Sequence, residues 1–256
     1  MTKEDWTLLI ALLGALAWTI PLFNLLKKVV FKPKLIPHID EQIEIGYDEN
    51  GPFITMAIAF TARNQSVFIT NAAVTMIHED NETHTLQWDT YGEVILSFED
   101  GYDDYFGEEL SNRQRAIALN IAMNDSVDKE IDFVNKTFMK ELRNYDESLR
   151  VVEEKYSRFK NKQQKIIESD AYRDYLLYYK NKFCWKVGKY SLKITFTSSD
   201  GKEFDFQNSF SLTDGDVHDL KTNISLFKQQ TDIDLFSDDY TQFVSEYESA
   251  LVYLDD

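Results

Sequence analysis

The sequence predicts a mainly β fold with an α insertion. It comprises an N-terminal single transmembrane helix, an immunoglobulin-like antiparallel β-sandwich interrupted by a long helical hairpin, and C-terminal helices. An apolar run lies near the amino terminus, and strand-like alternation recurs before residue 124 and after residue 189. Between Gly107 and Gly188 the chain has neither glycine nor proline. Short alternating segments separated by turns are typical of a sandwich, and a stretch without helix breakers permits long helices.

The apolar run extends from Trp6 to Leu26, and Asn24 is its only strongly polar member. About 20 apolar residues suffice for a helix to cross a bilayer, so the run predicts a membrane anchor. A cleaved signal peptide is the weaker alternative, because a cut after Ala17 would leave a strongly apolar new terminus. The run has no polar stripe, which argues against a core helix or an interfacial helix.

Charge predicts the orientation of this anchor. Four lysines follow the run within eight residues, whereas one lysine and two acids precede it. Basic flanks remain cytoplasmic, so we predict a single-pass membrane protein with its amino terminus outside and the bulk of the chain in the cytoplasm. The residues predicted to anchor and orient the chain in the lipid bilayer are Trp6, Trp18, Pro21, Asn24, Lys27, Lys28, Lys32 and Lys34.

Strand predictions follow the alternation of apolar residues and the turns between them. Asn50-Gly51 and Asp200-Gly201 predict tight hairpins, because asparagine and glycine accept the positive φ that such turns need. Pro33 and Pro37 bracket a predicted linker that leads into the first strand. The predicted strands cover residues 42–47, 53–62, 67–78, 83–91, 93–98, 115–123, 190–196 and 204–212. The acidic stretch at 99–109 is interpreted as a solvated loop, because its spacing does not match a calcium-binding loop.

The helical insertion is predicted from heptad-like spacing between residues 131 and 166, after a cap at Asp125 or Ser126. A helix over these residues would be roughly 60 Å long at about 1.5 Å per residue. We predict that its apolar seam binds a protein partner or a second copy, with packing against a shorter helix at 170–182 as the alternative. The predicted partner-binding residues are Ile131, Val134, Phe138, Leu142, Tyr145, Leu149, Val152, Tyr156 and Phe159.

These patterns divide the chain into five predicted segments, which differ in periodicity. A helix capped by Thr213 or Asp214 opens the last of them, and Phe243, Tyr247, Leu251 and Leu254 continue at helical spacing. The segments are the anchor with its basic collar at 1–35, the first part of the sandwich at 36–124, the coiled-coil-like insertion at 125–183, the closing hairpin at 184–213 and the acidic helical segment at 214–256.

Composition and motifs exclude several classes of function. Residues 36–256 hold 22 basic and 42 acidic residues, a net charge of −20, which disfavours nucleic-acid binding. His78 and His84 flank a turn, but zinc needs more ligands than these two, and the single Cys184 is expected to be a buried packing thiol. No phosphate loop or nucleophile elbow is present. We therefore assign no catalytic, cofactor-binding or metal-binding residue and identify no small-molecule substrate.

The remaining function is a non-enzymatic, membrane-anchored cytosolic adaptor, sensor or scaffold. It would bind protein partners through the sandwich and the long helices. The alternative is an accessory subunit of a membrane transport or effector complex whose catalytic activity lies in another chain.

Overall fold

The structure is a computed structural model that describes residues 14, 16–19, 21–23, 31–92, 113–236 and 247–255. Most of the apolar run at 6–26, the predicted strand at 93–98 and the acidic loop at 99–109 lie outside these residues. Within the described part of the chain, no helix is both long enough and apolar enough to cross a bilayer. This finding contradicts the prediction of a single-pass membrane protein whose bulk is cytoplasmic.

Ten strands of the described residues form one antiparallel sheet, where the sequence predicted two packed sheets. The strands are β1 (Lys34–Asp48), β2 (Gly51–Arg63), β3 (Val67–His78), β4 (Thr83–Gly92), β5 (Gln114–Arg115), β6 (Leu119–Ile121), β7 (Ser126–Val134), β8 (Gly188–Ser198), β9 (Glu203–Leu212) and β10 (Ser249–Tyr253). Their order across the sheet is β10-β1-β2-β7-β4-β3-β8-β9, with β5 on β4 and β6 on β3.

The sheet curls until its two ends approach each other. Alternate residues of the strands face a common core, in which Phe60 of β2 meets Phe196 of β8 with ring centroids 5.0 Å apart. Beyond β10, the amide of Asp255 donates to the carbonyl of Ser209 in β9 at 2.7 Å. A single, nearly closed sheet therefore replaces the predicted immunoglobulin-like sandwich, because strands from all parts of the chain share one core.

Both predicted hairpin turns are confirmed. Gly51 has a φ of +95° and Gly201 a φ of +77°, which glycine adopts without strain. The proline-bracketed linker is wrong, because β1 already begins at Lys34 and pairs Pro37 with Phe60 of β2.

Four helices of the described residues flank the sheet: α1 (Lys136–Tyr156), α2 (Lys162–Ile167), α3 (Asp170–Asn181) and α4 (Asp214–Phe236). The predicted long helix at 131–166 is wrong at both ends. Residues up to Val134 belong to β7, a central strand between β2 and β4. Asn135 then caps α1 by accepting a hydrogen bond from the Phe138 amide at 3.0 Å. Since α1 ends at Tyr156, the described residues contain neither the predicted helical hairpin nor a coiled coil.

The C-terminal predictions are half right. Helix α4 forms, with the Thr213 hydroxyl accepting from the Asp216 amide at 3.3 Å and the Asp216 carboxylate accepting from the Thr213 amide at 2.7 Å. The helix predicted after it is wrong in the described part, where β10 forms. Ala250 and Val252 alternate into the core opposite Ile45 and Ile43, so a period of two prevails over the helical spacing.

Buried aromatic side chains fix α3 and α4 against β1. The Tyr47 hydroxyl donates to the carbonyl of Tyr179 in α3 at 2.5 Å. The Tyr179 ring stacks on Phe227 of α4, with centroids 3.7 Å apart. Asn223 of α4 is fully buried, and its amide donates to the Tyr47 carbonyl at 3.0 Å. These contacts set the relative position of the two helices, α3 and α4, that form the candidate site.

Candidate functional site

A groove of about 540 Å³ runs along α3 and is walled by α4 and the end of α2. Its floor is apolar because both helices place apolar side chains at helical spacing on their facing sides. Tyr172 and Phe227 are buried in the floor, and Leu176 and Ile224 are half-buried beside them. Helices α3 and α4 therefore supply a preformed apolar cleft open to solvent.

Two large apolar side chains remain exposed at the rim of the groove. Ile167 at the end of α2 is 48% exposed, and Leu177 of α3 is 43% exposed. Scattered exposed apolar residues are ordinary on a protein surface, but these two border an apolar cleft. They extend the apolar floor outward to a surface that a partner can reach.

The rim also carries three cations, Arg173, Lys180 and Lys228, and one acid, Glu168. Arg173 pairs with Asp170 of its own helix at 2.8 Å, and Lys228 pairs with Asp232 of its own helix at 2.8 Å. Lys180 is exposed and makes no ion pair within the described ranges. Three cations thus line the groove on a strongly acidic domain, and acids of their own helices already neutralise two of them.

A hydrogen bond joins the two helices that line the groove. The Tyr172 hydroxyl of α3 donates to the Asp232 carboxylate of α4, which also accepts from Lys228. Burial raises the pKa of the Tyr172 phenol well above its usual value, and the neighbouring Asp232 carboxylate adds to the effect. The phenol therefore stays neutral and acts as a donor that holds the helices at a fixed separation.

The predicted partner-binding residues lie on β7, on α1 and just beyond it. Four of the nine are buried: Ile131, Phe138, Leu142 and Leu149 are at most 8% exposed. Tyr145 stacks on Tyr178 of α3, with centroids 4.7 Å apart.

Val134 at the end of β7, and Val152 and Tyr156 in α1, are half-buried. Phe159, beyond the end of α1, is 49% exposed. Of the residues predicted to bind a partner, Phe159 alone presents a large exposed apolar surface.

The predicted anchor residues are described only in part. Trp18 is 74% exposed, Pro21 and Lys32 are exposed, and Lys34 begins β1. The remaining members of that set, which are Trp6, Asn24, Lys27 and Lys28, lie outside the described residues. None of the described anchor residues lines the groove.

The histidine pair considered for zinc is held by carboxylates. His78 lies 2.9 Å from Asp80 and His84 lies 3.1 Å from Glu82, and Lys186 contacts both acids. The hydrogen bond to Asp80 raises the pKa of His78, and the Val187 carbonyl adds to the rise. Across the described stretches, no three histidine, cysteine or acidic side chains form a group that could hold a metal ion.

Cys184 is buried, and burial raises its pKa to about 12. A thiol with such a pKa is almost wholly protonated at neutral pH and is a poor nucleophile. Its position agrees with the packing role predicted from the sequence.

A second cavity of about 410 Å³ lies against the polar face of the sheet. Its central carboxylate, Asp132 of β7, is 7% exposed and accepts hydrogen bonds from Thr55 at 2.8 Å, from Thr90 and from Arg113 at 2.6 Å. Because both carboxylate oxygens already have partners, this cluster ties strands β2, β4 and β7 together and does not await a ligand.

Sequence reasoning placed a helix at 170–182 but missed the groove. The signal was present in the apolar pair Tyr172 and Leu176 next to Leu177, which gives α3 an apolar arc wider than one neighbour can cover. The facing wall comes from α4, about 50 residues later in the chain, and nothing local in the sequence pairs the two helices.

Comparison with known proteins gives no information on the function of the groove. No protein-family model matches the sequence, and no curated protein gives a significant match.

Proposed function

We propose that the chain is a non-enzymatic protein-interaction domain whose groove between α3 and α4 holds an acidic amphipathic helix of a partner protein. The observation that carries the proposal is the combination of an open apolar cleft, exposed Ile167 and Leu177 at its rim, and three cations around it. Apolar clefts with apolar rims and a few placed charges are the usual form of a helix-binding groove.

The length of the groove suits a short helix. Its lining residues on α3 extend from Ser169 to Lys180, a distance of roughly 16 Å at about 1.5 Å per residue. A partner helix of three turns would place apolar side chains at i, i+4 and i+7 over this floor. The facing wall is only slightly longer than one turn of α4, from Ile224 to Lys228, so the occupant would remain solvated on its outer side.

Charge selects an acidic occupant over a basic one. Lys180 has no ion-pair partner in the described parts of the chain, and the other two cations pair only with exposed or half-buried acids of their own helices. An acidic helix would gain contacts with these three cations. Residues 36–256 as a whole carry a net charge of −20, which disfavours binding of an acidic helix to other parts of the surface.

The test uses the full chain and two synthetic helical peptides. Both carry leucines at i, i+4, i+7 and i+11, and they differ only in having glutamate or lysine at the flanking positions. Fluorescence anisotropy should show the glutamate peptide binding at least tenfold more tightly than the lysine peptide. Surface ion pairs contribute about 0.2–1 kcal/mol each, so three such contacts account for a difference of this size.

Two pairs of substitutions localise the binding. Leu177→Glu should weaken the glutamate peptide at least tenfold, whereas Val151→Glu, at a similarly exposed apolar position of α1, should leave it unchanged. Lys180→Glu should weaken it several-fold, and Lys140→Glu on α1 should have little effect. Equal binding of both peptides, or equal effects of Leu177→Glu and Val151→Glu, would refute the proposal. Binding of an added fatty acid that Leu177→Glu abolishes, with no binding of either peptide, would refute the proposal and assign the cleft to a small apolar ligand.

A further inference from the structure

The seam between the two ends of the sheet lacks a strand along half of its length. Strand β1 pairs with β10 only from Gln42 to Gly46, and its first part, from Lys34 to Ile39, pairs with β2 alone. Strand β9 pairs with β8 alone. Within the described ranges, no strand lies between the first half of β1 and the first half of β9.

Contacts at the two ends of this seam show that its walls run side by side. At one end, the Lys202 ammonium donates to the Pro33 carbonyl at 2.6 Å. At the other end, the backbone amide of Leu254 donates to the carbonyl of Glu41 in β1 at 2.7 Å. The backbone amide of Asp255 donates to the carbonyl of Ser209 in β9, also at 2.7 Å. Between these points the walls are joined by no backbone hydrogen bond in the described residues. A long lysine side chain, and not a backbone amide, bridges the open end.

The core is incompletely covered in the middle of the seam, although Leu35 and Phe204 near its open end are buried. Pro37 and Ile39 of β1 lie opposite Phe60 and Ile58 of β2, which are fully buried, so both pairs face the core. Pro37 and Ile39 are nevertheless only half-buried.

On the other wall, Phe206 of β9 also faces the core and is also incompletely covered. It lies opposite Ile194, which is 1% exposed, yet it is itself only half-buried. In contrast, Ile43 and Ile45, which β10 covers, are at most 1% exposed.

We propose that this seam is a β-strand addition site that binds an extended segment of a partner protein with alternating apolar and basic side chains. The occupant would continue the line of β10, antiparallel to β1, and would satisfy the outward backbone groups of Lys34–Asp40 on one wall and of Glu203–Asn208 on the other. Only an extended backbone satisfies two such rows at a spacing of about 4.8 Å per strand. The existing pairing of β1 with β10 shows that this edge accepts an antiparallel strand.

The side chains around the seam define the partner's chemistry. Inward residues of the added strand would cover Ile39 and Phe206, which calls for apolar side chains at every second position. The other face of the two walls carries Asp40 and Glu203 against one lysine, Lys34, so basic side chains are favoured there. Asp205 on the same face already pairs with Lys193 of β8 at 3.0 Å.

A second copy of this chain is a poor occupant. Pairing of like edges would bring the acidic side chains of two copies together. The strong negative charge of the domain adds repulsion between copies.

The test adds to the full chain an acetylated peptide that alternates valine with lysine over about eight residues, the length of the open edge. A control peptide has the same sequence with alternate backbone amides methylated, which keeps the charge and removes the donors. Hydrogen exchange should slow at residues 34–40 and 203–208 with the first peptide, and anisotropy should show at least tenfold tighter binding than for the control. Phe206→Ser should weaken binding several-fold, whereas Phe68→Ser, at an exposed position of β3, should not.

Equal affinities of the two peptides, or no slowing of exchange at either wall with millimolar peptide, would overturn the proposal. Concentration-dependent protection of the same residues without any peptide, together with a dimer in sedimentation, would assign the seam to a second copy and overturn it equally. Because the control differs in the peptide and not in the protein, neither result depends on whether a variant folds.

Discussion

Asn223 is the polar residue through which α4 holds the segment before β10. It is fully buried, and its side-chain amide donates to the carbonyls of Tyr47 at 3.0 Å and Glu248 at 2.7 Å, while its oxygen accepts from the Glu248 amide at 2.8 Å. Asn223→Leu keeps the volume and removes all of these bonds. An unpaired buried polar group costs about 1–3 kcal/mol, and the two groups of Glu248 are only partly buried, so we expect a loss of about 3 kcal/mol in the free energy of unfolding.

Urea unfolding followed by circular dichroism measures this loss. Asn144→Leu is the control, because Asn144 is exposed on α1 and a surface change should cost no more than about 0.5 kcal/mol.

Asn223→Asp should make the free energy of unfolding depend on pH. The new carboxyl faces two carbonyl oxygens in a buried site, so its folded pKa is raised. Stability should therefore fall as pH rises from about 4 toward that raised pKa. A loss from Asn223→Leu equal to that of the control would refute the role given to this residue.

Three further outcomes follow from the contacts described above. Gly51→Ala should destabilise by about 2–4 kcal/mol in urea unfolding, because φ is +95° and a Cβ would lie 2.5 Å from the ring of Phe138. Asp132→Ala should cost about 1–3 kcal/mol, because the buried Thr55 hydroxyl loses its acceptor, whereas the exposed Arg113 keeps its ion pair with Glu130. The folded pKa of His78 is raised by Asp80, so its stabilising contribution is full below the unfolded pKa and is lost as pH rises through the folded pKa. His78→Gln should consequently destabilise more at pH 5.5 than at pH 8.5, and an equal effect at both pH values would contradict this assignment.

Local chemistry made the hairpins predictable from sequence. Asn50-Gly51 and Asp200-Gly201 supply the positive φ that their turns need, whatever the rest of the chain does. The strand at 67–78 was likewise predicted with the bounds that the structure shows, because its alternation is long and regular.

Residues 126–134 show where local pattern fails. Ile131 and Phe133 alternate as a strand requires, but Ile131, Val134 and Phe138 also match helical spacing, and the absence of glycine and proline favoured the helix. Residues 126–134 form a strand because they pair with β2 on one side and with β4 on the other. That pairing joins residues far apart in sequence, so no window of the chain contains the information.

The groove and the seam were beyond sequence reasoning for a related reason. Apolar spacing in α3 and α4 indicates that each helix packs against something, but it does not indicate which part of either face stays uncovered. Leu177 is exposed and Phe206 half-buried only because of where the sheet and helices end, which is a property of the assembled fold.

The most direct test of the proposed function is site-specific photo-crosslinking from the groove in the native cell. A benzophenone amino acid would replace Leu177, with the same replacement at Val151 as the matched exposed position. We predict a defined adduct from position 177 alone, and mapping by mass spectrometry should place the crosslink in a partner segment with apolar residues at i, i+4 and i+7 flanked by acids. The same adducts from both positions, or a crosslinked segment that is basic or not helical, would contradict the account.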